Sequence, residues 1–461
     1  MYRRKKFIKL SCCFALLISS FVWLTSIAIS QSKTTRYPKF NPPLNGTEIL
    51  LEADLAESKL QRRGIWALDP KTGKVRFLIP KGTRPIWSPK RNYFAYQEHN
   101  NLRIVDRKGN IQGSFCSTHT NGQLVGWGHD EKWIIYIASF PSSLFLPTNP
   151  NETYREFQTI YFIYWNPLKL LLKEGGLLNL IEWFSMHPLH HAGNPSISPD
   201  GKQIAFEVFK YALGAGKFYS KIFVADLMER EGKGNMYLWV NNIRRLTQLP
   251  EEIMEINPRW SPDGNQIAFE IVIPQEGNLV THIVNHDGSG LRGLKLYREE
   301  IKITTHKGSY RSKEELLAIE DKLVTENYLN RSLKVLGWLS NNRIVVAELE
   351  CRLTRYLDYS FAGLRGVWVI DLEQKHPPIL LVTTGPGSIS EQGRFLCLSK
   401  NRLMLTGMVD DFLISLDFYE IPEGYDKDNL RVIHKHKSIA KQLPHYSLIP
   451  DRSLVVYWMN W

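Results

Sequence analysis

The stretch NPRWSPDGNQIAFEIV, from Asn257 to Val272, has a near copy in NPSISPDGKQIAFEVF, from Asn194 to Phe209. Both contain Ser-Pro-Asp-Gly, a turn signature in which proline sets φ, aspartate caps the turn and glycine accepts the positive φ that follows. The Ile-Ala-Phe that comes next has the period-two pattern of a buried strand, with alanine on the face opposite to isoleucine and phenylalanine. Each copy therefore predicts a tight β-hairpin.

Five weaker copies lie on either side of these two, so the phrase recurs along the chain. The tryptophan position of the seven copies falls at Trp87, Trp127, Ile197, Trp260, Trp338, Leu398 and Leu448. Several copies are followed by a third strand that ends in an Asp or Asn turn, and then by a fourth apolar strand. Recurring units of four strands are typical of propeller blades. We expect an all-β fold, a β-propeller of four-stranded blades, with seven blades favoured and six or eight as alternatives.

The phrase resembles the PD40 (WD40-like) repeat of the TolB-type β-propellers, in which P-x-W-S-P-D-G-K-x-I-A-F recurs once per blade. The resemblance covers nearly the whole chain after about Thr47, strongly in two units and weakly in five. It implies one propeller over residues 47–461. TolB-type proteins have a separate α/β domain before the propeller, whereas strand patterns begin here by Glu48. The resemblance therefore applies to the propeller only.

The first thirty residues have the pattern of an export signal. Five Lys or Arg residues and no acid precede Cys12–Ile29, an uncharged and mostly apolar run that ends at a small-residue site before Gln31. The pattern predicts a signal peptide over 1–30 or a retained membrane anchor, and both alternatives stay open. We therefore expect an extracytoplasmic protein of the periplasm or cell envelope, with a polar linker over 31–46.

Charge and cysteine content exclude several classes of protein. The formal net charge is +12, but no dense basic run with interleaved aromatic residues follows residue 31, so we expect no nucleic-acid partner. Beyond the signal only Cys116, Cys351 and Cys397 remain, enough for one disulfide at most. The chain is not a disulfide-rich scaffold.

Two insertions separate the copies, at about 140–193 and 297–332. The first predicts either an elaborated blade with strands of its own or a binding loop at the propeller mouth. It holds His187, His190 and His191, which are zinc-ligand types, but no carboxylate or further His accompanies them at a recognisable spacing, and we nominate no metal site. The second predicts an amphipathic helix over 313–325 that packs on a blade or docks a partner.

The sequence contains no motif of a hydrolase elbow, a zinc protease, a P-loop or a dinucleotide site. Asp200 and Asp263 are best explained as turn residues, so we nominate no catalytic and no cofactor-binding residue, and we expect no cofactor. The favoured function is an exported, non-catalytic propeller that binds a protein partner or a small ligand through its channel-mouth loops. The alternative is a glycan-active hydrolase or lyase whose groups converge at the channel mouth from different blades.

The two ends of the chain are expected to share one blade. The N-terminal hairpin at Gly64–Leu78 lacks a first strand of its own, and the last copy, His445–Trp458, stops after its second strand. We expect the N-terminal hairpin to supply the outer strands of a mixed blade, because such closure removes free sheet edges. The partner of the strand EILLEADL stays open.

Overall fold

The computed structural model describes residues 39–57, 60–69, 72, 74–99, 101–116, 123–141, 156–166, 171–175, 190–212, 217–232, 235–251, 253–273, 278–296, 301–305, 331–353, 359–376, 378–383, 395–398, 402–409, 412–420 and 455–460. Every regular element in these ranges is a β-strand, which confirms the all-β prediction. Phe40–Trp461 form one unit and Met1–Lys39 another. The described part holds no helix long and apolar enough to cross a membrane. The predicted signal lies outside the described residues.

The strands of the described residues form seven antiparallel sheets, numbered here in chain order. Sheet 1 contains β1 (Ile49–Glu57), β2 (Leu60–Leu68), β3 (Val75–Pro80) and, paired with β1, the C-terminal β28 (Val455–Asn460). Sheet 2 contains β4 (Thr83–Trp87), β5 (Tyr93–Glu98), β6 (Asn101–Asp106) and β7 (Ile111–Cys116). Sheet 3 contains β8 (Gln123–Trp127), β9 (Trp133–Pro141), β10 (Glu156–Asn166) and β11 (Leu171–Gly175).

The remaining sheets follow the same order of consecutive strands. Sheet 4 contains β12 (His190–Ile197), β13 (Gln203–Ala212), β14 (Lys217–Gly232) and β15 (Asn235–Arg245). Sheet 5 contains β16 (Met254–Trp260), β17 (Gln266–Ile273), β18 (Asn278–Asn285), β19 (Arg292–Leu296) and β20 (Ile301–Thr305). Sheet 6 contains β21 (Arg331–Ser340), β22 (Arg343–Leu353), β23 (Tyr359–Asp371) and β24 (Ile379–Thr383), and sheet 7 contains β25 (Phe395–Leu398), β26 (Arg402–Val409) and β27 (Phe412–Glu420).

The Ser-Pro-Asp-Gly turns form the hairpins that the sequence predicts. In sheet 5 the N–H of Gly264 donates to the carbonyl of Ser261 at 3.0 Å, and Ser261 N donates to Gln266 O at 2.8 Å. Gly264 has φ +74°, a conformation that L side chains rarely adopt. The turn of sheet 4 repeats this geometry, with Gly201 also at φ +74°.

The buried core lies between consecutive sheets, and the predicted alternation explains it. Ile204 and Phe206 of β13 pack in a cluster with sheet 3, whereas Ala205 packs in the cluster shared with sheet 5. In β17 the pattern repeats one sheet further along, because Phe269 faces sheet 4 and Ala268 faces sheet 6. Each buried aromatic side chain contributes about 1.5 to 3 kcal/mol. A small residue on the other face lets the next sheet approach closely.

Sheet 1 joins the two ends of the chain. One C-terminal strand, β28, pairs with β1, and three N-terminal strands complete the sheet. The described strands of sheet 1 are thus one C-terminal strand and three N-terminal strands, and the first of the two C-terminal strands that the sequence predicted lies outside the described residues. The strand EILLEADL, whose partner was open, is β1 and pairs with both β28 and β2.

The segment just before β1 packs against sheet 2. The backbone N–H of Phe40 donates to Lys108 O at 2.9 Å, and Leu44 N donates to Arg107 O at 2.8 Å. Phe40 is buried and lies beside Phe94, with ring centroids 6.1 Å apart. The described part of the predicted linker thus forms part of the folded unit.

Candidate functional site

A buried polar side chain recurs at one position of the second strand. It follows Ile-Ala-Phe or its equivalent in sheets 1, 2, 4 and 5, at Glu52, Gln97, Glu207 and Glu270. Glu207 and Glu270 are each only 1% exposed. Burying a carboxylate is costly unless hydrogen bonds satisfy it, so its partners reveal its role.

Each of these side chains accepts a hydrogen bond from the backbone of the next sheet. The donors are the N–H groups of Arg84 to Glu52 (2.9 Å), Leu124 to Gln97 (3.0 Å), Asn257 to Glu207 and Val335 to Glu270 (2.9 Å). All four donors lie three residues before the tryptophan position of their own copy. At that place the first strand shifts register against the second, as between Ile256 and Arg259. A bulge leaves backbone groups outside the ladder, and the side chain of the preceding sheet satisfies them.

The tryptophans of the repeat make a second bond between the same sheets. Their indole N–H groups donate to carbonyl oxygens of the preceding sheet, from Trp87 to Glu48 (2.9 Å), Trp127 to Ile86 (3.0 Å), Trp260 to Ser196 (2.9 Å) and Trp338 to Arg259 (3.0 Å). Buried indole N–H groups need such a partner. The repeated tryptophan therefore marks a hydrogen bond between neighbouring sheets.

Two of these carboxylates meet across the first strand of sheet 5. Asn257 donates its backbone N–H to Glu207 and its side-chain amide to Glu270, the latter at 2.8 Å. Asn194 of sheet 4 donates its amide to Glu207 at 2.7 Å. Asn194 and Asn257 have φ of +44° and +59°, which asparagine tolerates better than most residues. We call Glu207, Glu270, Asn194 and Asn257 the acid–amide cluster.

Burial changes the proton affinity of both acids. The pKa of Glu207 is raised to about 7 because burial disfavours the carboxylate, while the hydrogen bonds from Asn257 and Asn194 oppose the rise. The pKa of Glu270 is also raised by burial, against the opposing charges of Lys334 and Arg259. A pKa near neutrality suits proton transfer. Glu207 is nevertheless almost inaccessible and already accepts hydrogen bonds from two N–H donors, so this geometry supports a structural contact between sheets.

The aspartates of the repeat have the turn role expected of them. Asp263 Oδ1 accepts the hydroxyl of Ser261 at 2.6 Å and the N–H of Asn265 at 3.0 Å, and Asp200 does the same with Ser198 and Lys202. Burial alone would raise the pKa of Asp263, but the bonds from Ser261 and Asn265 outweigh it and lower the value.

The other sequence-level candidates fall largely outside the described residues. His190 and His191 begin β12, where the backbone alone is described, and His187 is not described. The described residues contain no group of three metal-ligating side chains. The predicted helix over 313–325 and most of the insertion loops also lie outside.

The four residues of the acid–amide cluster lie within the two strong copies of the repeat, but the repeat pattern predicted no role for them. The available signal was the recurrence of Glu after Ile-Ala-Phe in both strong copies, with Gln97 at the same position in a weaker one. The partners of these side chains are backbone N–H groups far along the chain, so spacing alone did not identify them.

No protein-family profile and no curated protein matches the sequence. Among solved structures, the chain is similar to a candidate TolB from Agrobacterium tumefaciens, at 14% identity over 74% of this chain and 90% of that one, with a TM-score of 0.33. It is similar to an oligogalacturonate lyase from Vibrio parahaemolyticus, at 11% identity over 79% of this chain and 84% of that one, with a TM-score of 0.46. It is also similar to dipeptidyl peptidase 4 from Porphyromonas gingivalis, at 11% identity over 81% of this chain and 49% of that one, with a TM-score of 0.38. At such values the description of the fold rests on the strand pairing of the chain itself.

Proposed function

We propose that the seven described sheets are the blades of one closed β-propeller. Strands of each sheet contact strands of the next, and β27 of sheet 7 contacts β28 of sheet 1. The pairing of β28 with β1 brings both ends of the folded unit into one blade. Such closure is a common way in which propellers hold their ring together.

The proposed function is that of a non-catalytic binding or scaffolding module outside the cytoplasm. One observation supports it: the carboxylates of the repeats make hydrogen bonds that stabilise the fold. Glu52, Glu207 and Glu270 hold neighbouring sheets together, and the repeat aspartates hold turns. A rigid ring stabilised in this way presents preformed loops to a partner with little rearrangement.

We place the proposed binding face by the direction of the strands that flank the first insertion. The Ser-Pro-Asp-Gly turns join first and second strands at one end of the sheets, and antiparallel strands alternate in direction. The last residues of β9 and β11 and the first residues of β10 and β12 therefore lie at the opposite end. We propose that residues 142–155 and 176–189, which connect β9 to β10 and β11 to β12, bind the partner. Loops on a rigid scaffold are the usual place for recognition.

Export remains part of the proposal and is supported by the basic and apolar pattern of residues 1–30. If the signal is cut before Gln31, the protein is free in the periplasm or outside the cell. If it is retained, the propeller is tethered to the membrane.

The test is a pull-down from the envelope fraction with a C-terminal tag, in which the N-terminus of the tagged protein is also sequenced. The proposal predicts a stoichiometric protein partner that is lost when residues 176–189 are replaced by a Gly-Ser linker. A control variant with Lys233→Gly, in the connection between β14 and β15, should keep the partner. Failure of the wild-type protein to retain any partner would contradict the scaffold function.

The alternative that the sequence leaves open is an enzyme that acts on glycans through groups that converge at the channel mouth from different blades. Its test is turnover of neutral and acidic polysaccharides by the purified chain. Turnover would favour the enzyme; its absence, with a partner retained, would favour the scaffold.

A further inference from the structure

The acid–amide cluster joins sheets 4 and 5 through the buried, ionisable side chains of two glutamates and the amides of two asparagines. Glu207 lies on β13 and accepts the backbone N–H of Asn257 on β16, and Glu270 on β17 accepts the side chain of the same asparagine. Both acids are 1% exposed. Because the two carboxylates lie near each other in a buried place, ionisation of one disfavours ionisation of the other.

The charged groups around the pair lie on two other strands. The charge of Arg259 on β16 acts on both acids, that of Lys334 on β21 acts on Glu270, and Glu270 acts on Glu207. The remaining neighbours are uncharged: Asn194 of β12, Asn257 and the backbone of Val335. Arginine and lysine keep their charge at neutral pH, so the two glutamates are the members of this group that titrate.

The chain itself indicates that the bond does not need a charge. In sheet 2 the neutral amide of Gln97 makes the same bond, from Leu124 N to Oε1 at 3.0 Å. A protonated glutamic acid has the same shape and keeps a carbonyl oxygen that accepts N–H donors. Protonation of Glu207 therefore removes a buried charge and keeps the acceptor for Asn257.

We propose that the contact between sheets 4 and 5 is a proton-dependent fastening, in which the pair Glu207 and Glu270 binds a proton when the sheets associate and releases it when they separate. The contact is then tighter in mildly acidic than in alkaline surroundings. This proposal rests on the observed contact and goes beyond the proposed binding function, since it concerns what holds the ring closed.

The direction follows from proton linkage. The pKa of Glu207 in the folded chain is about 7, above the ordinary value of 4.5. Stabilisation from proton binding is complete below the unfolded value and is lost as pH rises through the folded value. Between about pH 5 and pH 7 the folded chain holds one proton more than the unfolded chain, so each unit by which the pH rises lowers the ratio of folded to unfolded chain about tenfold.

The test is urea unfolding of the full chain in a mild detergent, followed by tryptophan fluorescence from pH 5 to pH 8.5. Glu207→Gln should remove this pH dependence of the free energy of unfolding, so that the stability of the variant relative to the wild type increases as the pH rises. Gln97→Glu introduces an acid at the equivalent position of sheet 2, and its free energy of unfolding should fall more than that of the wild type over the same pH range. A difference between wild type and Glu207→Gln that stays constant across this range would overturn the proposal.

Infrared spectroscopy of the wild type keeps the proposal testable if a variant fails to fold. The folded protein should show a protonated carboxyl band at pH 5.5 that is lost by pH 8.5. A spectrum without such a band at pH 5.5 would also overturn the proposal, because it would mean that both acids are already ionised.

Discussion

Glu207 and Asn257, fifty positions apart in the chain, are joined across the contact between two sheets. The carboxylate accepts the backbone N–H that a bulge in β16 leaves outside its own ladder. The same arrangement occurs between sheets 1 and 2, 2 and 3, and 5 and 6. In these four contacts, one side chain of the preceding sheet therefore compensates for an irregular first strand.

The carboxylate of Glu270 should matter for stability through its acceptor atoms. Glu270→Ala leaves the N–H of Val335 buried without a partner and leaves the amide of Asn257 only its long bond to Val335 O at 3.5 Å, so we expect the free energy of unfolding to fall by about 2 to 4 kcal/mol. Glu270→Gln keeps one acceptor and should cost far less. Urea unfolding of both variants measures the difference; equal losses would mean that the charge, and not the hydrogen bonding, stabilises the contact.

The indole N–H of Trp260 should contribute separately. Trp260→Phe leaves the carbonyl of Ser196 without this donor and opens a small cavity, so we expect a loss of about 2 to 3 kcal/mol. Trp239, half-buried on β15 beneath Arg230, serves as the control, and Trp239→Phe should cost well under half as much. Thermal unfolding that places both variants at the same midpoint would argue against the bond between sheets.

The positive φ in the Ser-Pro-Asp-Gly turn of sheet 5 can be tested by substitution of Gly264. Gly264→Val forces a β-branched residue into φ +74° and should cost about 1 to 3 kcal/mol through the backbone alone, since a Cβ there would meet only Pro199 at an ordinary 3.5 Å. Gly264→Asn, which tolerates that conformation, should lose much less. The melting temperatures of the two variants decide the matter, and a valine variant as stable as the wild type would refute the turn assignment.

Asp263 should stabilise its turn more strongly while it is ionised. Its pKa is lowered in the folded chain, so its contribution is present above the unfolded value and is lost as pH falls through the folded value. Asp263→Ala should therefore destabilise the chain at pH 7 and approach the wild type below about pH 4. Asp263→Asn keeps the acceptor and should show a smaller deficit at pH 7. Unfolding curves from pH 3 to pH 7 check this, and a deficit that does not shrink in acid would contradict it.

Local chemistry allowed much of the fold to be predicted. The turns around Gly201 and Gly264, and the opposite faces of Ala205 and Phe206, depend on residues a few positions apart, and both predictions are confirmed. The roles of Glu207 and Trp260 depend on groups in another sheet, which periodicity does not specify. The same reason explains why the sequence left the partner of β1 open: that partner, β28, lies about 400 residues further along the chain.

The closure of sheet 1 is the claim on which the propeller proposal depends, and a cross-link tests it most directly. Ala53 and Val456 are paired in the register of β1 and β28. A chain carrying Ala53→Cys and Val456→Cys should form a disulfide under mild oxidation, identified by mass spectrometry of the linked peptides. The pair Ala53→Cys and Asn460→Cys, where Asn460 is paired instead with Leu50, should not. A linked first pair and an unlinked second pair are the predicted result; no link in the first pair, or equal linking of both, would contradict the closed ring.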